Sequence, residues 1–379
     1  MQILIAPDSF KGSLSAQDAA NAMERGVLRS LPDATTVKHP ISDGGEGLVS
    51  VVTPVLGGRI VSTNVSGPLP GQRVNARWGL STRNAIAVIE MAEAAGLPLV
   101  SQERRDPNVT TTYGVGELIR AALDMNVSTI IVGIGGSATI DGGAGMAEAL
   151  GVHFLDASGA QLGRGGASLA AITGIDLRGK DPRLDAVEVL VACDVQNTLC
   201  GKNGASAVYG PQKGASLSDV AQLDKCLEKF GETIRSEMGI DVVGIPGGGA
   251  AGGLGAGLVA FCGGKLMRGI DLVLQVTKFD AQLAEADLVI TGEGRIDRQT
   301  RFGKALAGVI GRAREHDVPV VAVVGAIEGG REHYVGTDFL ADIESLVDAH
   351  TSEQDAMRNA STLLSDRTKL LIQRYFNRT

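Results

Sequence analysis

Five times in this 379-residue chain an apolar run ends in side chains able to handle charge. Asp8-Ser9-Phe10-Lys11 follows residues 3–6, Asp43 and Glu46 follow 37–41, and the stretch 137–141 follows 129–134. Asp194 follows 189–193, and Glu293 with Asp297 follows 288–291. One polar residue after a strand is ordinary. Repetition of the pattern points to a shared site, because open α/β sheets bind ligands beyond the carboxyl ends of their strands.

The residue types suit phosphoryl transfer, which needs cations for the moving charge, carboxylates for Mg²⁺ and a base for the attacking hydroxyl. Lys11, Lys213, Arg295 and Lys304 are candidate cations, and Asp43, Asp194, Glu293 and Asp297 candidate oxygen donors. A surface ion pair, such as Arg295 with Asp297, is the plainer reading of any one of them. Residues 133–146, Gly-Ile-Gly-Gly-Ser-Ala-Thr-Ile-Asp-Gly-Gly-Ala-Gly-Met, lead into a helix expected from about Ala144. N–H groups at a helix start with no Cβ in the way cradle phosphate; a tight strand-to-helix turn is the bland alternative. The segment is not a G-x-G-x-x-G fingerprint, and the residues after each Gly-Lys pair (Asp181, Asn203, Leu266 and Ala305) exclude a P-loop. The glycine run 247–257 reads equally well as a second anion-binding loop or as a helix packed very close to its neighbour.

Positioning such residues requires a sheet, and short apolar runs alternating with helical patterns predict a mostly parallel α/β one. Strands are expected at 3–6, 37–41, 129–134, 188–193, 287–291, 319–325 and, at an edge, 343–347. Between 58 and 110 the character changes. Residues 59–64, 73–79 and 85–91 read as further strands, the first two antiparallel around Gly67-Pro68. Helices are expected from the Ser15 cap, over 115–125, over 303–316 and over 353–375. The fold class that results is α/β with two α/β domains. Residues 1–57 and 280–379, the two chain ends, form one doubly wound sheet, and 58–279 form an inserted α/β domain with glycine-rich loops.

Composition bounds the partners. A net charge of −8 and 3% aromatic residues argue against nucleic acid, which needs a basic surface and stacking platforms. No stretch is long and apolar enough for a membrane span, and the first residues lack a signal-peptide pattern. The four cysteines, Cys193, Cys200, Cys226 and Cys262, lack zinc spacing and read as reduced structural thiols, so a cytoplasmic location is expected. Glycine, at 52 residues against an average of about 7%, clusters where ligands approach backbone.

Eight segments occur in the order seen in the bacterial-type glycerate kinase family, which the chain resembles from its first strand to about residue 308. They are Ala6-Pro-Asp-Ser-Phe-Lys-Gly-Ser-Leu-Ser-Ala16, Asp43-Gly-Gly-Glu-Gly47, Gly135-Gly-Ser-Ala-Thr139, Asp141-Gly-Gly-Ala-Gly-Met146, Ala192-Cys-Asp-Val195, Gly210-Pro-Gln-Lys-Gly-Ala215, Gly249-Ala-Ala-Gly-Gly253 and Val289-Ile-Thr-Gly-Glu-Gly-Arg-Ile-Asp297. The resemblance implies a flavodoxin-like domain beside a second α/β domain. It also implies ATP- and Mg²⁺-dependent phosphorylation of D-glycerate to 2-phospho-D-glycerate, with 3-phosphoglycerate as the alternative product. A silent nucleotide- or sugar-acid-binding protein and a dehydrogenase are the competing readings.

On this reading ATP and D-glycerate meet in a cleft between the domains. Asp194 orients or deprotonates the hydroxyl, with Lys11 and Asp43 also catalytic. Ser9, Arg105 and Asn197 bind substrate, Lys11 and Arg105 facing its carboxylate. Gly135, Gly136, Ser137, Thr139, Asp141 and Lys213 hold the nucleotide, and Glu293 and Asp297 hold Mg²⁺. A homodimer is a further expectation. The chain departs from the family at Ile140, where asparagine is usual, and at Thr198, which follows Asn197 where proline is usual. Loss of the amide at Ile140 would be expected to alter ligand contacts.

Overall fold

Strand β1 (Gln2–Pro7) is buried on both faces from Ile3 onward, as an interior parallel strand must be. It leads through the helix Ala16–Leu28 to β2 (Thr35–Lys38). Then follow β3 (Arg59–Ser66), β4 (Arg73–Ser81), β5 (Ile86–Glu90), β6 (Thr129–Gly133), the antiparallel pair β7 (His153–Leu155) and β8 (Gly174–Asp176), β9 (Glu188–Ala192) and β10 (Lys265–Met267). The chain closes with β11 (Leu288–Gly292), β12 (Arg295–Ile296), β13 (Val320–Val324), β14 (Ala326–Ile327) and β15 (Asp342–Ser345). This computed structural model describes residues 1–45, 47–297, 305–336 and 339–377.

Two compact units result, 1–43 with 270–379 and 44–269. The sequence reading puts the breaks at 57/58 and 279/280. In the structure the helix Leu48–Val55 packs on β3, β4 and β5, which draws the first crossing forward to Gly44.

In the first unit five parallel strands run β15-β13-β11-β1-β2. Counted within the unit this is the flavodoxin-like order 2-1-3-4-5, so the α/β class with a sheet built from both chain ends holds. Side chains alternate between two cores. Leu4, Ala6, Val289, Ala322 and Val324 face one, and Ile3, Ile5, Ile290, Val321 and Val323 the other. Ser15 caps the first helix by accepting from the Asp18 N–H at 3.1 Å, as its spacing predicts. Regular strand geometry in β2 ends at Lys38, yet the His39 and Ile41 N–H groups still donate to the Ile5 and Pro7 carbonyls at 2.8 and 3.0 Å, so the pairing with β1 runs on to the expected 41. The expected C-terminal helix is two, Glu353–Arg358 and Ala360–Phe376, separated by Asn359 at φ −109°.

The second unit's sheet runs β10-β9-β6-β5-β4-β3, parallel through β5 and antiparallel at β4 and β3, matching the change of character read from the sequence. One apolar core unites it, centred on the rings of Phe154, Phe230 and Phe261. Among the described residues no helix is long and apolar enough to cross a membrane.

Candidate functional site

The carboxyl ends of β6 and β9 deliver the second unit's polar residues to a chamber of ≈ 250 Å³. Gly135, Gly136 and Ser137 line it from the β6 side and Asp194 from the β9 side, with Lys213 opposite. Lys213 is 2% exposed, and its Nζ donates to Ser137 Oγ at 2.6 Å and to the Thr139 carbonyl at 2.8 Å. Burial pushes its pKa down to about 7, while the nearby Asp141 pulls the other way. A desolvated ammonium beside glycine backbone and a hydroxyl is an anion-binding arrangement. Asp194 is exposed, and its Oδ1 accepts from the Gly269 N–H at 2.8 Å, which fixes the carboxylate at the chamber wall.

The run 247–257 resolves as a closely packed helix with an irregular start. Ala251, Gly252 and Gly253 adopt left-handed φ of 54°, 70° and 93° at the head of the helix Ala250–Cys262. A Cβ on Gly252 would sit 1.8 Å from the Thr139 carbonyl oxygen, the atom that also anchors Lys213. Ala250 and Ala251 complete the chamber lining.

Four second-unit candidates, Asp141, Arg105, Asn197 and Thr139, stand apart from this lining. Asp141 is 1% exposed, and it accepts from the Thr112 N–H (2.8 Å) and hydroxyl and from the N–H groups of Gly143 (3.1 Å) and Gly145 (3.3 Å). It therefore holds the loop, and burial raises its pKa. Arg105 donates through Nη1 to the Gln212 carbonyl at 3.3 Å, bracing the segment that carries Lys213. Asn197 donates to the Asn203 carbonyl (2.9 Å) and accepts from the Tyr209 hydroxyl (2.7 Å). Thr139 is buried and presents its carbonyl to Lys213 rather than its hydroxyl to the chamber. Ile140 is 0% exposed in the apolar core, so its departure from the family alters packing rather than the lining.

In the first unit the sheet order reverses between β1 and β11, and a hollow of ≈ 510 Å³ lies beyond their carboxyl ends. It gathers Ser9, Lys11, Asp43 and Glu293 with Asp8. The Asp8 N–H donates to the Gly292 carbonyl at 2.8 Å, locking the two loops together. Burial, reinforced by the Asp43 charge, pushes the Asp8 carboxyl up to about 7. Arg295 pairs with Glu353 at 2.6 Å. Asp297 is half-buried and outside the lining. Glu46 and Lys304 lie outside the described residues. Among the described residues no three His, Cys, Asp or Glu side chains converge as a metal cage. The hollow's carboxylates fit the way Mg²⁺ usually binds, through one or two carboxylates plus substrate phosphates.

Sequence reasoning missed Glu90 at the end of β5. Its oxygens accept from the Gly47 N–H (2.8 Å) and Val49 N–H (3.0 Å), capping the helix Leu48–Val55. The available signal was the same one used elsewhere, an acid closing an apolar run.

The family model described as the Glycerate kinase family matches residues 3–375. The glycerate kinase of Halalkalibacterium halodurans is 49% identical over 366 residues, covering 96% of this chain and 95% of that protein. The glycerate 2-kinase of Escherichia coli K12 is 46% identical over 367 residues, 95% of this chain and 96% of the relative. A crystal structure from Salmonella typhimurium LT2, described as "putative glycerate kinase 2", superposes with a TM-score of 0.91 at 46% identity, over 100% of this chain and 98% of that one.

Proposed function

The chain belongs to the glycerate kinase family and is a glycerate kinase enzyme, and from that premise we propose that it transfers the γ-phosphoryl group of ATP to D-glycerate, giving 2-phospho-D-glycerate. The observation that supports this best is the chamber holding Lys213, Ser137, Gly135, Gly136 and Asp194 together. Backbone N–H groups and a buried ammonium suit the charge of a moving phosphoryl group. The name of the Escherichia coli relative favours the 2-phosphorylated product.

In the proposed step Asp194 takes the proton of the C2 hydroxyl as its oxygen bonds to the γ-phosphorus. The bond from phosphorus to the β,γ-bridging oxygen breaks, and ADP leaves. Lys213, Ser137 and the Gly135–Gly136 backbone hold phosphate oxygens, with Thr139 and Asp141 shaping that loop and Arg105 and Asn197 bracing the chamber's polar wall. On the first unit, Ser9, Lys11 and Asp43 line that unit's own hollow together with Glu293. Glu293, with Asp297, would hold Mg²⁺, which when bound neutralises phosphate charge.

A coupled assay of ADP release with D-glycerate tests the base. Asp194→Asn should lower kcat by about 10²–10⁴-fold, the usual contribution of a general base. Near-normal turnover would remove Asp194 from that role.

A further inference from the structure

A second cavity of the same unit, ≈ 690 Å³, lies on the β3–β5 side and shares Gly45, Gly135 and Gly136 with the Lys213 chamber. We propose that this groove is the nucleoside half-site, taking the adenine and ribose of ATP while the triphosphate runs over Gly135 and Gly136 toward Lys213. The inference rests on the kinase reading above and assigns a place within it.

Size comes first. The groove falls in the range of pockets that enclose a drug-sized molecule, about 300–1,000 Å³, whereas the chamber is below it. Val49, Ile60, Val74, Pro98 and Leu99 give it apolar wall. Ile60 is 44% exposed, a large apolar side chain left facing water where a flat heterocycle would cover it. Three-carbon D-glycerate has no apolar part to match such walls.

Charge points the same way. The groove carries Glu90, Glu93 and Arg77. Arg77 donates to Glu93 through Nε at 3.2 Å and Nη2 at 2.9 Å, and Glu90 is engaged by the Gly47 and Val49 N–H groups. That lining has no cationic excess to attract a carboxylate or a phosphate. It suits a neutral base, with Glu93 and Ser50 placed to meet ribose hydroxyls, the role an acidic residue plays in other nucleotide sites. Lys213, with its two anchoring oxygens, lines the chamber and not the groove, beyond the shared Gly135 and Gly136. A ligand with a neutral, flat head and an anionic tail spans both cavities, and ATP has that form.

The test fills the groove in the full-length protein. Leu99→Trp and Val74→Trp place indoles in it, and Ile60→Trp does so from an exposed position where folding is not at stake. Steady-state kinetics should show KM for ATP raised by about tenfold or more, equivalent to about 1.4 kcal/mol. KM for D-glycerate should stay within about twofold. Calorimetric titration with ADP should show the same loss of affinity. If the wild-type protein turns over and none of the three variants weakens ADP, or if Met357→Trp in the first unit's hollow weakens it instead, the proposal is overturned. If the variants weaken ADP binding but the wild type does not phosphorylate D-glycerate, the groove assignment stands and the kinase reading fails.

Discussion

An ammonium group that is 2% exposed has lost almost all of its hydration, and Lys213 recovers hydrogen bonds to the Ser137 hydroxyl and the Thr139 carbonyl, which do not replace it in full. Its pKa therefore falls from the ordinary lysine range to about 7. With the folded value below the unfolded one, the unfolded chain holds more protons between about pH 7 and 10.4, so this group's contribution to stability rises with pH across that window and is lost below it. Binding runs in the opposite sense, since a phosphate favours the protonated form. We expect kcat/KM for ATP to fall as pH rises through about 7. Lys213→Met should lower it by about 10²-fold or more and flatten that limb. A pH profile of both proteins checks this, and identical profiles would free Lys213 from phosphate binding. Lys213, Ser137 and Asp194 were legible in the sequence because each belongs to a glycine-rich or strand-end segment. The engagement of Asp141 was not, because its partner Thr112 lies 29 residues away and only the fold brings them together.

Two glycine-rich segments press together at the chamber, and the left-handed turn Ala251–Gly253 is the result. A composition of alanine and glycine could be read as a loop or as a tightly packed helix, and the choice depended on what lay opposite. The Thr139 and Gly142 backbones lie there, too close for side chains. Ala251 at φ 54° bears a strain of about 1–2 kcal/mol that glycine would not. Ala251→Gly should therefore be neutral or stabilising by up to about 1 kcal/mol, where the same change in an ordinary helix interior costs about 1 kcal/mol. Gly252→Ala should cost more than about 3 kcal/mol, because its methyl would displace the carbonyl that anchors Lys213. Urea denaturation of both variants decides, and a destabilised Ala251→Gly would argue against the strained turn. The break at Asn359 shows the same limit at another element: the periodicity was right, but one residue at φ −109° leaves helical backbone geometry and divides the helix in two.

At the scale of the whole chain, β1 lies between β2 and β11, so a parallel ladder joins residues 285 apart in sequence. Alternating strands and helices made the α/β class readable, but strand order depends on which crossovers close, and that is a property of three-dimensional packing. The second unit, by contrast, has its own six-stranded sheet and one continuous core within 44–269. A fragment of those residues should fold alone and unfold in one cooperative transition, monitored by far-UV circular dichroism. Residues 1–43 alone should not fold, since β1 and β2 lack the sheet they complete. The central claim concerns chemistry and is tested most directly by incubating the purified full-length protein with ATP, Mg²⁺ and D-glycerate and following the products by phosphorus NMR. The account predicts ADP together with a phosphate ester on the C2 oxygen, in equal amounts. ADP without any glycerate phosphate ester, or an ester on the C3 oxygen, would contradict it.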